Sequence, residues 1–283
     1  MVPWLKYAIY VVEIGAIAYF LACLTLIFVQ RRLIFIPCQT IEETPADYGL
    51  PYESVFLPMP REETIHGWWI PSPAPDAPVI LYLHGNGGNV GANLPRVERY
   101  YAIGFSVFLF DYRGYGLSEG RFPSESRMYE DAETAWHYLV DQREIPPEQL
   151  YVFGHSLGGA IALELATRQP QIPGLVIEGS FTSMIDMARD RGSYSWLPIN
   201  WLLTQRFNSL KKIRYLNIPI LLIHGTDDPI VPAEMSRELY QAAPRRKELW
   251  LVENAGHNDV ASVAGEAYEK RIWRFLQESP SDF

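Results

Sequence analysis

A serine between two glycines, set directly behind an apolar run, constrains the backbone of this chain more than any other feature. Gly154-His155-Ser156-Leu157-Gly158 follows Leu150-Tyr151-Val152-Phe153 and leads into the helix-forming stretch Ala160 to Arg168. The pattern reads as a strand, a sharp turn and a helix, with the serine hydroxyl held outside both elements, free to attack a carbonyl. Strand and helix pass so closely at such an elbow that the positions two before and two after the serine must be small, and both are glycine. The five-residue pattern alone is common by chance. It gains weight from the buried-strand signature before it, the helix after it, and partners in the required order.

If that order is Ser, Asp, His, the base must lie beyond the serine, and of six histidines only His224 and His257 do. His224 precedes the best acid, which leaves His257, in the polar turn Glu253 to Asp259 after the strand-like Leu249-Trp250-Leu251-Val252. His66, His84, His137 and His155 read as polar or structural positions. The acid comes from the turn that ends Leu221-Leu222-Ile223, where Asp227 and Asp228 are adjacent. Only one can point at an imidazole; the spacing Gly-x-x-Asp-x-x-Val-Pro selects Asp228 and leaves Asp227 as a solvated turn residue. Acyl transfer also needs backbone donors for a developing oxyanion. Leu157, next to the serine, is one candidate. Asn86 is the other, in the loop His84-Gly85-Asn86-Gly87-Gly88-Asn89 behind the apolar Val79 to Leu83. That loop lacks the Lys-Ser/Thr ending of a Walker loop and the regular G-x-G-x-x-G of a dinucleotide site.

Together with Gln30 to Pro37, Asp111 to Gly120 and Glu178 to Ser183, these motifs resemble the α/β-hydrolase superfamily from about Arg32 onward. The likeness is to small N-terminally anchored serine hydrolases that include protein depalmitoylases, with serine aminopeptidase-like relatives. It implies an α/β fold with a mostly parallel, eight-strand-type sheet, helices on both faces, and Ser156, Asp228 and His257 as a triad. It also implies that Asp111-Tyr112-Arg113-Gly114 is a rigid loop under the site, without chemistry of its own.

The remaining sequence agrees with this outline. Strand-like Ser54 to Pro58 and Thr64 to Ile70 form a hairpin around Met59 to Glu63. Beyond the proline-rich loop Pro71 to Pro78, strands and helices alternate. The strands are Ser106 to Phe110, Leu150 to Phe153, Leu175 to Glu178, Ile218 to Ile223 and Glu248 to Val252, with a helix over Ser126 to Gln142. Such a rhythm means a parallel sheet covered on both faces. A last helix is expected over Val260 to Gln277, with Ala264, Tyr268, Ile272 and Phe275 at helical spacing. Phe181 to Asn217 interrupts the alternation and has the length of a small cap. Trp196, Leu197, Ile199, Trp201, Leu202 and Leu203 crowd into it, suited to line an acyl pocket, to dip toward a bilayer, or simply to pack the cap onto the core. The basic run Arg206, Lys211, Lys212 and Arg214 reads as a solvated face.

Tyr7 to Val29 is apolar apart from Glu13 and meets the roughly 20 residues needed to span a bilayer. One buried acid costs about 3 kcal/mol on the insertion scale, which twelve Leu, Ile, Val and Phe side chains at about −0.3 to −0.6 each outweigh. A cleaved signal peptide would show a shorter apolar core and a small-x-small site. The expected division is therefore an anchor over residues 1–30 and one catalytic domain over 31–283, with the cap at about 181–217. Lys6 and the amino terminus face Arg31 and Arg32 across the span, so charge gives no orientation. The two cysteines, Cys23 and Cys38, form no disulfide framework or zinc pattern, which with the resemblance favours the cytoplasmic side and leaves periplasmic or lumenal placement open. A net charge of −9 excludes nucleic acid as a partner.

The expected activity is a membrane-anchored serine hydrolase acting on an ester or thioester of a small molecule, lipid or lipidated protein, with no metal or cofactor required. Aminopeptidase-like amide cleavage is the alternative enzyme reading. A catalytically idle membrane-tethered binding module is the alternative from another class.

Overall fold

The computed structural model describes residues 3–120, 122–190, 192, 196–244 and 246–277. Helix α1 (Pro3–Ile34) is one unbroken element of 32 residues. Its Lys6–Ile34 portion is long and apolar enough to cross a membrane. Arg31 and Arg32 occupy its last turn, where cations complement the helix dipole. The division expected between residues 30 and 31 falls inside this helix.

A two-residue strand, β1 (Ile36–Pro37), follows at once. After a connector with one 3-10 turn, β2 (Glu53–Pro58) and β3 (Thr64–Ile70) form the expected antiparallel hairpin. Then come β4 (Val79–Leu83), the short β5 (Gly87–Gly88), α2 (Leu94–Ala102), β6 (Ser106–Phe110), α3 (Glu125–His137), β7 (Leu150–His155), α4 (Leu157–Arg168) and β8 (Leu175–Glu178). Three short cap helices intervene: α5 (Met184–Asp190), α6 (Ile199–Leu202) and α7 (Ser209–Ile213). The chain closes with β9 (Ile220–Gly225), α8 (Ala233–Ala242), β10 (Lys247–Val252), α9 (Val260–Ala264) and α10 (Glu266–Gln277). Residues 191 and 193–195 of the expected cap lie outside the described residues.

The main sheet has eight strands in the order β10-β9-β8-β7-β4-β6-β3-β2. Only the β2–β3 and β3–β6 pairs are antiparallel. Side chains alternate across it with the period of two that pleating imposes. Val79, Leu81 and Leu83 of β4 join the core under α3, α4 and α8, and Ile80 and Tyr82 join the core under α2 and α10. A separate parallel pair, β1 with β5, fastens the end of α1 to the glycine-rich loop after β4.

Two helices depart from expectation. The one expected over Ser126 to Gln142 ends as α at His137 and finishes in a π turn over Tyr138–Gln142. The last helix is two helices, because Gly265 adopts φ 56° and ψ −143° and redirects the chain between α9 and α10. Apolar spacing conceals that break: Tyr268, Ile272 and Phe275 are all buried on α10, while half-buried Ala264 packs against the same core from α9.

Candidate active site

Ser156 sits between β7 and α4 with φ 53° and ψ −117°, a strained conformation of the kind that costs about 1–3 kcal/mol and persists only where its surroundings hold it. The flanking glycines are obligatory by contact. A Cβ on Gly154 would lie 2.5 Å from the Gly158 carbonyl oxygen, and one on Gly158 would lie 1.9 Å from that of Leu83. The Ser156 N–H donates to the Glu178 carbonyl at 2.8 Å, which ties the elbow to β8.

The three residues read from the sequence come together. Ser156 Oγ lies 3.0 Å from His257 Nε2, and His257 Nδ1 lies 2.6 Å from Asp228 Oδ2. Burial opposes ionisation of Asp228, but hydrogen bonds from His224, His257 and the Val231 N–H outweigh it and hold the carboxyl well below the usual range. Its Oδ1 accepts from the Ile230 and Val231 N–H groups at 2.8 and 2.9 Å. Because Asp228 is ionised, His257 Nδ1 carries the proton and donates, leaving Nε2 to accept from the Ser156 hydroxyl. Asp227 is exposed and, among the described residues, accepts from the Thr226 hydroxyl, 3.2 Å away.

Two supports were not assigned from the sequence. His224, fully buried, presents Nε2 to Asp228 Oδ2 at 3.1 Å and to the Val231 carbonyl at 2.9 Å, with Nδ1 2.6 Å from Ser236 Oγ. Its position before the acid, which set it aside as a base, is what lets it brace that acid. Behind His257, Arg96 donates to Asn258 Oδ1 at 3.1 Å and lies 3.3 Å from His155 Nε2. Burial, together with the Arg96 charge, pushes His155 well below its ordinary pKa, so it is a neutral spacer. Glu178, beside Arg96, accepts from Tyr268 at 2.6 Å.

Asn86 and Leu157 both line the cavity that holds Ser156. Among the described residues, neither backbone N–H has a protein acceptor. The Asn86 side chain does something the sequence did not announce. It donates to the Ile34 carbonyl at 2.6 Å, accepts from the Ile36 N–H at 3.2 Å, and accepts from the Tyr115 hydroxyl at 3.0 Å. The Asp111 loop lies underneath, with Tyr112 donating to the His84 carbonyl at 3.1 Å and Arg113 bonded to Asp131 at 2.5 Å. Among the described residues, no cluster of three or more His, Cys, Asp or Glu is placed to hold a metal ion.

The cavity has a volume of about 270 Å³. Its floor is Ser156 and Leu157, one side is the cap through Met184, Met187, Ile199 and Leu203, and the other is α1 through Leu26, Gln30, Leu33 and Ile34. The apolar cluster of the cap is thus divided: Ile199 and Leu203 face the cavity, whereas Trp196 and Trp201 are exposed. Of the basic run, Lys212 pairs with Glu164 at 2.8 Å and lies over the Tyr129 ring.

Residues 74–212 and 202–260 match the family of serine aminopeptidases, S33. The chain belongs to this α/β-hydrolase family. The hydrolase is 34% identical over 259 residues to an uncharacterised protein of Mycobacterium tuberculosis, with 88% of each chain covered. It is 32% identical over 263 residues to the lysophosphatidylserine lipase ABHD12 of Danio rerio, covering 78% of this hydrolase and 68% of that protein. An esterase of Pyrococcus furiosus shares the fold with a TM-score of 0.72 at 24% identity, over 86% of this hydrolase and 97% of that chain.

Proposed function

We propose that this hydrolase cleaves carboxylic esters or thioesters of lipids or lipidated molecules through an acyl-enzyme on Ser156. The observation that carries the reading is the hydrogen-bonded series Ser156, His257 and Asp228 at the floor of an apolar cavity. His257 Nε2 takes the proton as Ser156 Oγ attacks the carbonyl, then returns it to the leaving alcohol or thiol. Asp228 keeps the imidazole in the Nδ1–H tautomer. The unpaired N–H groups of Asn86 and Leu157 receive the oxyanion, each worth a few kcal/mol of barrier in a dry site. Water, activated by the same histidine, then releases the acid.

An apolar lining supports a lipid acyl group, and the name lysophosphatidylserine lipase borne by one relative agrees with it. Amide cleavage of an amino-terminal residue is less well served: the cavity has no carboxylate among its described lining residues to meet a substrate ammonium. Helix α1 acts as the membrane anchor, and the free cysteines favour a catalytic domain on the cytoplasmic side. Exposed Cys38 reports that side directly, by its protection from or reaction with a membrane-impermeant maleimide in intact cells.

The deciding test is covalent labelling by a fluorophosphonate, followed by a panel of p-nitrophenyl esters, acyl thioesters and aminoacyl amides. Wild-type protein should label and Ser156→Ala should not. A folded wild-type protein that neither labels nor turns over any ester would return the chain to the binding-module reading.

A further inference from the structure

We propose that the last turns of α1 belong to the substrate site, with Leu26 setting the length of acyl chain the hydrolase accepts. The inference rests on the Ser156 reading above and adds what that reading leaves open, the part of the molecule that measures the acyl group.

Leu26, Gln30 and Leu33 stand at positions i, i+4 and i+7, one face of a helix, and all three line the cavity that contains Ser156. They extend along the helix axis for about 10 Å. The helix is held at that position by a polar lock. Gln30 is only 1% exposed, donates to the Leu202 carbonyl at 3.2 Å, and accepts from the Thr204 N–H at 2.7 Å and its hydroxyl at 3.1 Å. A buried amide satisfied across 172 to 174 residues of sequence fixes rotation and translation of α1 against the cap. Arg31 adds bonds to the Phe122 and Pro123 carbonyls, and Tyr19 donates to the Trp196 carbonyl at 3.2 Å.

The occupant follows from what lies on both sides of this wall. Inside it are Ser156 and the methionines of the cap, whose flexible side chains adapt to a chain of variable shape. Outside it, Phe20, Leu24 and Phe28 of the same helix are bare apolar surface. The helix is about 48 Å long against a hydrocarbon layer of about 30 Å, so it has length beyond that needed to span. One helix thickness therefore separates the cavity from a lipid-facing surface. The occupant assigned is the aliphatic chain of a membrane lipid ester or thioester, with its carbonyl at Ser156 and its methyl end toward Leu26.

The test is the ratio of kcat/KM for p-nitrophenyl laurate over p-nitrophenyl acetate, measured on the full-length chain in detergent. Leu26→Trp, which fills the far end, should lower that ratio about tenfold or more. Leu26→Ala, which lengthens the cavity, should raise it. Phe28→Trp, on the outer face, should leave it at the wild-type value. Ratios unchanged in both Leu26 variants while ester turnover persists would overturn the proposal and leave the Ser156 reading intact. A wild-type protein that hydrolyses neither ester would remove the Ser156 reading and this proposal with it. If Leu26→Trp does not fold, the alanine variant, which only deletes atoms at a half-buried position, decides.

Discussion

The floor of the cavity and its outer wall are held by different kinds of interaction. Ser156, His257 and Asp228 stand on loops at the ends of β7, β10 and β9, linked by hydrogen bonds of 2.6 to 3.0 Å and by glycine contacts with no room for a methyl group. The wall contributed by α1 and the cap is made of apolar side chains, with the polar lock of Gln30 at one point and the side chain of Asn86 at another. Directional contacts with narrow tolerance make the floor fail abruptly when altered. Dispersion contacts, each small and many in number, let the wall change by degrees.

Neutralising the acid is the strongest challenge to that contrast. Asp228→Asn should lower kcat/KM for p-nitrophenyl esters about 10⁴-fold, as loss of a triad carboxylate does through the wrong tautomer. Asp227→Asn, at an exposed position, should change it less than about twofold. Comparable losses in the two variants would erase the distinction between floor and periphery. His224→Gln comes next: a hydrogen bond to a charged group is worth about 1.5–3 kcal/mol, so turnover should fall roughly tenfold or more, with KM little changed. A KM effect alone would mean that His224 shapes the cavity and does not brace Asp228.

On the wall, Gln30→Ala leaves the part-buried Thr204 N–H without its acceptor and should cost about 0.5–1.5 kcal/mol. Hydrogen exchange should show that loss at Thr204 and α6, while fluorophosphonate labelling of Ser156 continues. Acid supplies a graded test. Burial lowers His84 to about 4 against the opposing bond to the Gly85 carbonyl, so between its ordinary value and about 4 the unfolded chain holds a proton that the folded chain lacks. Stability from this group is complete above the ordinary histidine range and is lost as pH falls toward 4, with a slope of at most about 1.4 kcal/mol per pH unit. Thermal melts across that window should shift downward, and His84→Gln should flatten the shift. The smallest expected effect belongs to Trp201, 87% exposed: Trp201→Ala should alter the melting free energy by no more than about 0.5 kcal/mol.

The two regions also differ in how much of them a reader of the sequence can find. Ser156 is legible because the elbow is a local steric rule, and Asp228 and His257 are legible because chain order and turn chemistry leave few candidates. Gln30 is not, since a glutamine before two arginines at the end of an apolar run reads as the edge of an anchor until Thr204 is brought beside it. Glu178 was visible within a motif, but its role depends on Arg96 and Tyr268, distant in sequence. Gly265 was hidden for the opposite reason: the apolar stripe runs through the break undisturbed, and periodicity reports burial without reporting direction.

The pairing of β1 with β5 joins a long rod to a short loop with almost no slack. Ile34 and Ile36 are both tied to Asn86, and Phe35 between them is buried. Because Gln30 and Tyr19 hold α1 to the cap, a load on the helix moves helix and cap together, and the joint passes that load to the loop that borders Ser156 with no hinge between. On the proposed anchor reading, a mismatch between the apolar length of α1 and the hydrocarbon thickness supplies such a load. Turnover of a fixed substrate in bilayers of graded thickness should therefore vary for the intact joint, and vary less once Asn86→Ala has loosened it.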